Sequence, residues 1–192
     1  MFTVNWFDFC ITCSNFKLKS TIMKTILYSA LVVLILSSFT SDNARKIPSV
    51  DLKTLEGKTV SSSTFSNDGK PIIISFWATW CSPCKKELNA VAEVYDDWRK
   101  ETGVKLIAVS LDDSRSSSKV APYVNSKGWE YDEYLDLNSD FKRAMGVNNP
   151  PHTFIVDGKG NVVWQHVGYK DGDEAQYIEV VRKIIKGEKI EH

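Results

Sequence analysis

From residue 47 onward, short unbroken apolar runs take turns with stretches whose apolar residues recur every three or four positions, which predicts strands alternating with helices. The run Ile72-Ile73-Ile74-Ser75-Phe76-Trp77 is β-branched and aromatic almost throughout, as a central strand buried on both faces requires. From Cys84 the period becomes helical, with Leu88, Val91, Tyr95 and Trp98 on one face and Gly103 as the stop. Val104 to Ser110 reads as a second buried strand. The polar stretch Asp112 to Ser118 can cap a helix through Val120, Tyr123 and Val124, with Pro122 near its first turn. A short strand around Tyr131 to Leu135 and a short helix from Ser139 to Met145 follow. Thr153 to Val156 and Asn161 to Val167 flank Asp157-Gly158-Lys159-Gly160, the pattern of a β-hairpin. The last helix is capped by Asp171 or Asp173, presents Ile178, Val181, Ile184 and Ile185 on one face, and ends at Gly187. Ahead of the main fold, Val50 to Leu55 and Thr59-Val60 make a small hairpin around Gly57, and Asn67 to Pro71 a loop. The expected fold is α/β, a central mixed β-sheet flanked by helices on both faces with an N-terminal β-hairpin extension, formed by one domain over 47–192.

Composition narrows the partners. With 192 residues, 43% of them hydrophobic and 25% charged, the chain can bury one core of ordinary size. Lysine plus arginine number 24 and aspartate plus glutamate 24, so no broad field recruits a polyanion, and nucleic acid is not an expected partner. The cysteines form two C-x-x-C pairs, Cys10/Cys13 and Cys81/Cys84, too few to staple a small scaffold. A lone C-x-x-C also lacks the four ligands that zinc wants, so neither a metal nor a cofactor is expected.

Residues 1–45 are expected to be an N-terminal extension carrying a signal peptide or anchor. Met23-Lys24, the apolar run Ile26 to Leu36 and the polar stretch Ser37 to Asn43 match the three regions of an export signal. The run is shorter than the ~20 residues of a spanning helix. Neither a clean small-x-small cleavage site nor a lipid-bearing cysteine lies between Ser37 and Ala44, so cleavage and an uncleaved anchor both stay open. Because such a signal begins at the start of a chain, Met23 reads as the initiator and Cys10/Cys13 as an accidental spacing. The expected location is periplasmic or otherwise extracytoplasmic, with membrane contact only through this segment.

The Cys81/Cys84 pair sits where the buried strand gives way to the helix. There, unpaired backbone N–H groups and the positive end of the helix dipole favour a thiolate at Cys81 below the usual thiol pKa of about 8.5. Its sulfur is expected to be exposed above the sheet edge, with Cys84 one turn on and less exposed. Pro83 suits a first helical turn because its missing N–H would be unpaired there. Ser82-Pro83 carries no cation, whereas strongly oxidising centres over-stabilise the reduced thiolate, so a reductant or mid-potential exchanger is expected.

Phe76-Trp77-Ala78-Thr79-Trp80-Cys81-Ser82-Pro83-Cys84-Lys85-Lys86-Glu87-Leu88, followed by Gly146-Val147 and Pro151-His152-Thr153-Phe154-Ile155-Val156-Asp157 with Gly160, resembles the thioredoxin superfamily. The closer similarity is to exported TlpA/ResA-like thiol–disulfide oxidoreductases of the AhpC/TSA–Redoxin type, over roughly Ile47 to the C-terminus. The resemblance implies a thioredoxin fold in which Pro151 is cis and faces the cysteines, its backbone open to an extended substrate segment. Pro150 departs from the commoner pattern and removes a backbone N–H just before that bond. Thioredoxins of the cytoplasmic type place a buried Asp six residues before the first Cys, where this chain has Ser75. The TlpA/ResA-like proteins instead carry a carboxylate at the position of Glu87, which burial would tune to take the proton from Cys84. The plainer reading of Glu87 is a solvated first-turn acid.

His152 could tune the thiolate or be a surface histidine, and Trp80 could form part of an apolar docking surface. Trp77 reads as packing, and His166, Lys85 and Lys86 as structural or solvated. The expected activity is reduction of disulfides in exported proteins, with Cys81 as nucleophile, Cys84 as resolving thiol, and the pair forming the redox-active disulfide. The resemblance implies cytochrome c biogenesis, antioxidant activity, protein disulfide substrates, a membrane-bound thiol donor and a monomer. An exported oxidase or isomerase is the alternative. A thiol peroxidase is weaker, because the Pro-x-x-x-Thr-x-x-Cys pattern is absent.

Overall fold

The computed structural model describes residues 45–190. The expected signal or anchor, Met23 and the Cys10/Cys13 pair lie outside the described residues. Seven strands, β1 (Asp51–Thr54), β2 (Thr59–Ser61), β3 (Ile72–Trp77), β4 (Lys105–Ser110), β5 (Asp132–Leu135), β6 (His152–Val156) and β7 (Val162–Val167), join in one sheet of order β2-β1-β5-β4-β3-β6-β7. The helices are α1 (Ser82–Thr102), α2 (Val120–Lys127), α3 (Asp140–Ala144) and α4 (Glu174–Lys186). β3, β4 and β5 run parallel, and the remaining pairings are antiparallel. The mixed sheet expected from the sequence is therefore present, and the N-terminal hairpin extends it by pairing β1 with β5.

β3 is central, and all six of its residues are buried. Its alternating side chains divide the core into two halves. Phe76 packs against Phe141 of α3 in a tilted pair and against Phe154 of β6 edge-on, on one face. Trp77 meets Tyr123 of α2 and Trp129 on the other. That second face also receives α1 and α4, which pack against each other. Ser75 lies on it too, in register with Thr153 of β6 and Ala108 of β4, while Ala108 is in register with Glu133 of β5. Thr153, Ser75, Ala108 and Glu133 thus form a row across four strands beneath the helices.

Helix boundaries follow the sequence closely, down to Gly103, which closes α1 at a left-handed φ of 67°. The buried stripe of α4 is shifted from the expected one. It comprises Tyr177, Ile178, Val180 and Val181, whereas Ile185 is 51% exposed. All four buried residues lie in the first eight positions of the helix, whereas Ile185 falls in its last turn. Asp173 stands at the N-cap without capping the helix, because its carboxylate takes the Lys170 N–H and His166 Nε2. No helix among the described residues is long and apolar enough to cross a membrane.

Candidate active site

The apolar run of β3 ends at Trp77, and the chain turns sharply, with the Cys81 N–H donating to the Ala78 carbonyl at 3.0 Å. Buried Asp112, just past β4, fixes this turn by accepting from the Thr79 N–H at 2.7 Å and the Thr79 hydroxyl at 2.6 Å. Cys81 is then the N-cap of α1, with Pro83 in the first turn. Its Sγ accepts the Cys84 N–H at 3.3 Å, so the sulfur receives one of the unpaired donors of the helix end.

Cys81 and Cys84 are joined by a disulfide with Cα atoms 5.4 Å apart. Cys84 is fully buried, as its place one turn into the helix suggests. Cys81 differs from expectation, being only 5% exposed. Bonded to Cys84 and turned toward its N–H, the sulfur is tucked into the helix end. Trp80 beside it is 64% exposed.

Glu87 lies one turn after Cys84 on the same helical face and is 1% exposed, which rules out the solvated first-turn acid. Three hydroxyls converge on its carboxylate. Tyr177 donates to Oε1 at 2.6 Å, Thr153 to Oε1 at 2.7 Å, and Ser75 to Oε2 at 3.2 Å. Burial pushes the Glu87 carboxyl above its ordinary range, and the three donors pull in the opposite direction. The site so built pairs a sulfur at a helix N-terminus with a buried carboxyl one turn beyond its partner cysteine.

The peptide between Pro150 and Pro151 is cis, and Pro151 leads directly into β6, the antiparallel neighbour of β3. The Pro151 carbonyl is already occupied, accepting the Gly168 N–H at 2.9 Å. His152 is buried, not on the surface, and points to the opposite sheet face from Thr153, stacked on Phe154. Burial lowers its pKa, so the ring is neutral near pH 7 and supplies no fixed positive charge.

Sequence reasoning did not single out Tyr177, Asp112 or Glu133. Tyr177 carried a signal as an aromatic in the α4 stripe, but nothing marked its hydroxyl. Glu133 accepts from Trp77 Nε1 at 3.3 Å through Oε2, while its Oε1 is shut off from solvent without a partner among the described residues. Burial raises its carboxyl well above the ordinary value. No cluster among the described residues could hold a metal ion.

The AhpC/TSA family model matches residues 44–165. The chain belongs to the AhpC/TSA family. Within it the chain is ResA-like: it is 30% identical over 132 residues to the thiol-disulfide oxidoreductase ResA of Bacillus thuringiensis, covering 69% of this chain and 73% of that one. It is 33% identical over 130 residues to the thiol:disulfide interchange protein DsbE of Yersinia pestis, covering 65% and 63%. The solution structure of a thioredoxin-like protein from Porphyromonas gingivalis superposes with a TM-score of 0.67 at 51% identity, covering 78% of this chain and 99% of that one. The fold is therefore the thioredoxin fold, and the chain is a thioredoxin-like thiol–disulfide oxidoreductase of this family.

Proposed function

We propose that Cys81 and Cys84 carry the exchange and that the chain acts as a reductant of disulfides in exported proteins. In the reduced enzyme the Cys81 thiolate attacks one sulfur of a substrate disulfide, forming a mixed disulfide and releasing the other substrate sulfur as a thiolate. Cys84 then gives up its proton and attacks Cys81 Sγ, which closes the Cys81–Cys84 disulfide and frees the second substrate thiol. The observation that carries this assignment is the N-cap position of Cys81, where its sulfur accepts the Cys84 N–H. That position stabilises the Cys81 thiolate that acts as nucleophile in the first step.

Glu87 is the proton acceptor for Cys84 in this scheme. It is buried on the same helical face and held above the ordinary carboxylate range, which suits a base working near neutral pH. Trp80 offers an exposed aromatic surface to the substrate beside Cys81. The Pro151 carbonyl is engaged with Gly168, so the backbone group offered to an extended substrate at the cis bond is the Pro150 carbonyl. His152 contributes to that surface by anchoring Pro151 through its stack on Phe154.

The uncharged Ser82-Pro83 pair favours a reductant over a strong oxidant. Residues 1–45, read as signal or anchor, and 47–192, read as the working domain, support a location outside the cytoplasm, soluble or tethered. The similarity to ResA and DsbE supports cytochrome c maturation as the process, with a membrane-bound thiol donor renewing the pair. Insulin reduction tests the assignment. Cys81→Ser is expected to abolish it, and a reduction potential near that of thioredoxin is expected, whereas one near about −120 mV would mark an oxidase instead.

A further inference from the structure

Two grooves flank the ridge Trp80-Cys81-Ser82-Pro83. One, of about 650 Å³, runs from Trp80 past Leu111 to Arg115, Lys119 and Lys142. The other, of about 380 Å³, is lined by Ser82, Pro83, Lys86, Tyr169, Lys170 and Asp171. In a chain whose formal charges cancel, both grooves are positive: three cations against Asp113 in the first, two against Asp171 in the second.

The first groove is the more strongly biased once ion pairing is considered. Its single carboxylate, Asp113, is neutralised by Arg115 Nη2 at 2.6 Å and Nε at 2.9 Å. Lys119 and Lys142 have no ion-pair partner among the described residues. Two free ammonium groups therefore line a groove whose other end is a 64% exposed indole next to the sulfur that reacts. A large exposed aromatic bordered by unpaired like charges is the composition of a docking surface, with the apolar part giving area and the charges giving selectivity.

We infer that the Trp80 groove docks an acidic, extended segment of the substrate protein adjoining the disulfide under attack, with Lys119 and Lys142 selecting for its carboxylates. The inference rests on the disulfide-exchange reading above and names its substrate class. A basic segment would meet two unpaired cations, and an uncharged one would leave them idle.

The test uses two peptides that share one internal disulfide, flanked by glutamates in one and by lysines in the other, and compares kcat/KM for their reduction by the same enzyme. Taking the ratio within one protein removes any general loss of activity. The wild type is expected to favour the acidic peptide about five- to tenfold, with the preference shrinking as salt screens it. Lys119→Glu with Lys142→Glu is expected to bring the ratio below one. Reversing Lys58 and Lys189, which are exposed and line neither groove, is expected to leave it unchanged. Equal rates for the two peptides, or a preference that survives the Lys119/Lys142 reversal, would overturn the docking assignment while leaving the exchange chemistry standing. A wild type unable to reduce even a small uncharged disulfide would overturn the exchange reading and the docking assignment with it.

Discussion

The Ser75 hydroxyl donates to Glu87 Oε2 at 3.2 Å. A carboxyl delivered from helix α1 therefore arrives at the strand position where thioredoxins of the cytoplasmic type carry their own acid. Ser75 and Thr153 are cross-strand partners, so sheet register alone aims both hydroxyls at that carboxyl. Tyr177 closes the pocket from α4.

Replacing Glu87 with Gln keeps the volume and removes the carboxylate proposed as proton acceptor. Reductase kcat/KM at neutral pH is expected to fall by about one to two orders of magnitude. In the wild type the rate should rise with pH as Glu87 loses its proton, above the ordinary carboxylate range because burial holds the proton on. The variant should lack that limb in a pH–rate profile.

Tyr177→Phe deletes one donor to the charged form of Glu87. The carboxylate is then less well stabilised, so the acid limb should move to higher pH, by about one unit for a hydrogen bond to a charged group. A purely structural role for Tyr177 would lower stability without moving the limb, and the profile separates the two.

Glu133 is held above the ordinary carboxylate value mainly by burial, with Asp132 adding to the rise and Trp77 opposing it. The folded state therefore binds this proton more tightly than the unfolded one. Its contribution to stability is full below the unfolded pKa and is lost as pH rises through the folded one. Glu133→Gln is expected to raise the Tm near pH 8, with the gain vanishing toward about pH 4, as thermal unfolding across pH would show.

Asp112→Ala strands the Thr79 N–H and leaves the hydroxyls of Thr79 and Ser110 without their acceptor. A cost of about 2–4 kcal/mol is expected in denaturant unfolding. Because Thr79 lies within the turn that delivers Trp80 and Cys81, reductase activity should fall as well.

The strands, the helices and the N-cap position of Cys81 were legible because each is a local pattern: an apolar run, a helical period, a proline in the first turn. The surroundings of Glu87 were not. Its donors come from positions 75, 153 and 177, and only sheet register and the packing of α4 on α1 bring them together. Asp112 opens a polar, Ser-rich stretch and looks like any loop acid until its Thr79 contacts are seen. Glu133 sits in a short strand whose burial depends on the helices above it. The burial of His152 was not legible either, because it depends on both faces of β6 being covered, all five residues of that strand being buried.

The central assignment, Cys81 as nucleophile and Cys84 as resolving thiol, is tested most directly by disulfide trapping. Reduced Cys84→Ser enzyme would be incubated with a disulfide-bonded substrate protein and the adduct mapped by mass spectrometry. A stable mixed disulfide on Cys81 is expected, with none formed by Cys81→Ser. An adduct on Cys84 in the Cys81→Ser enzyme, with none on Cys81 in the Cys84→Ser enzyme, would contradict the assignment.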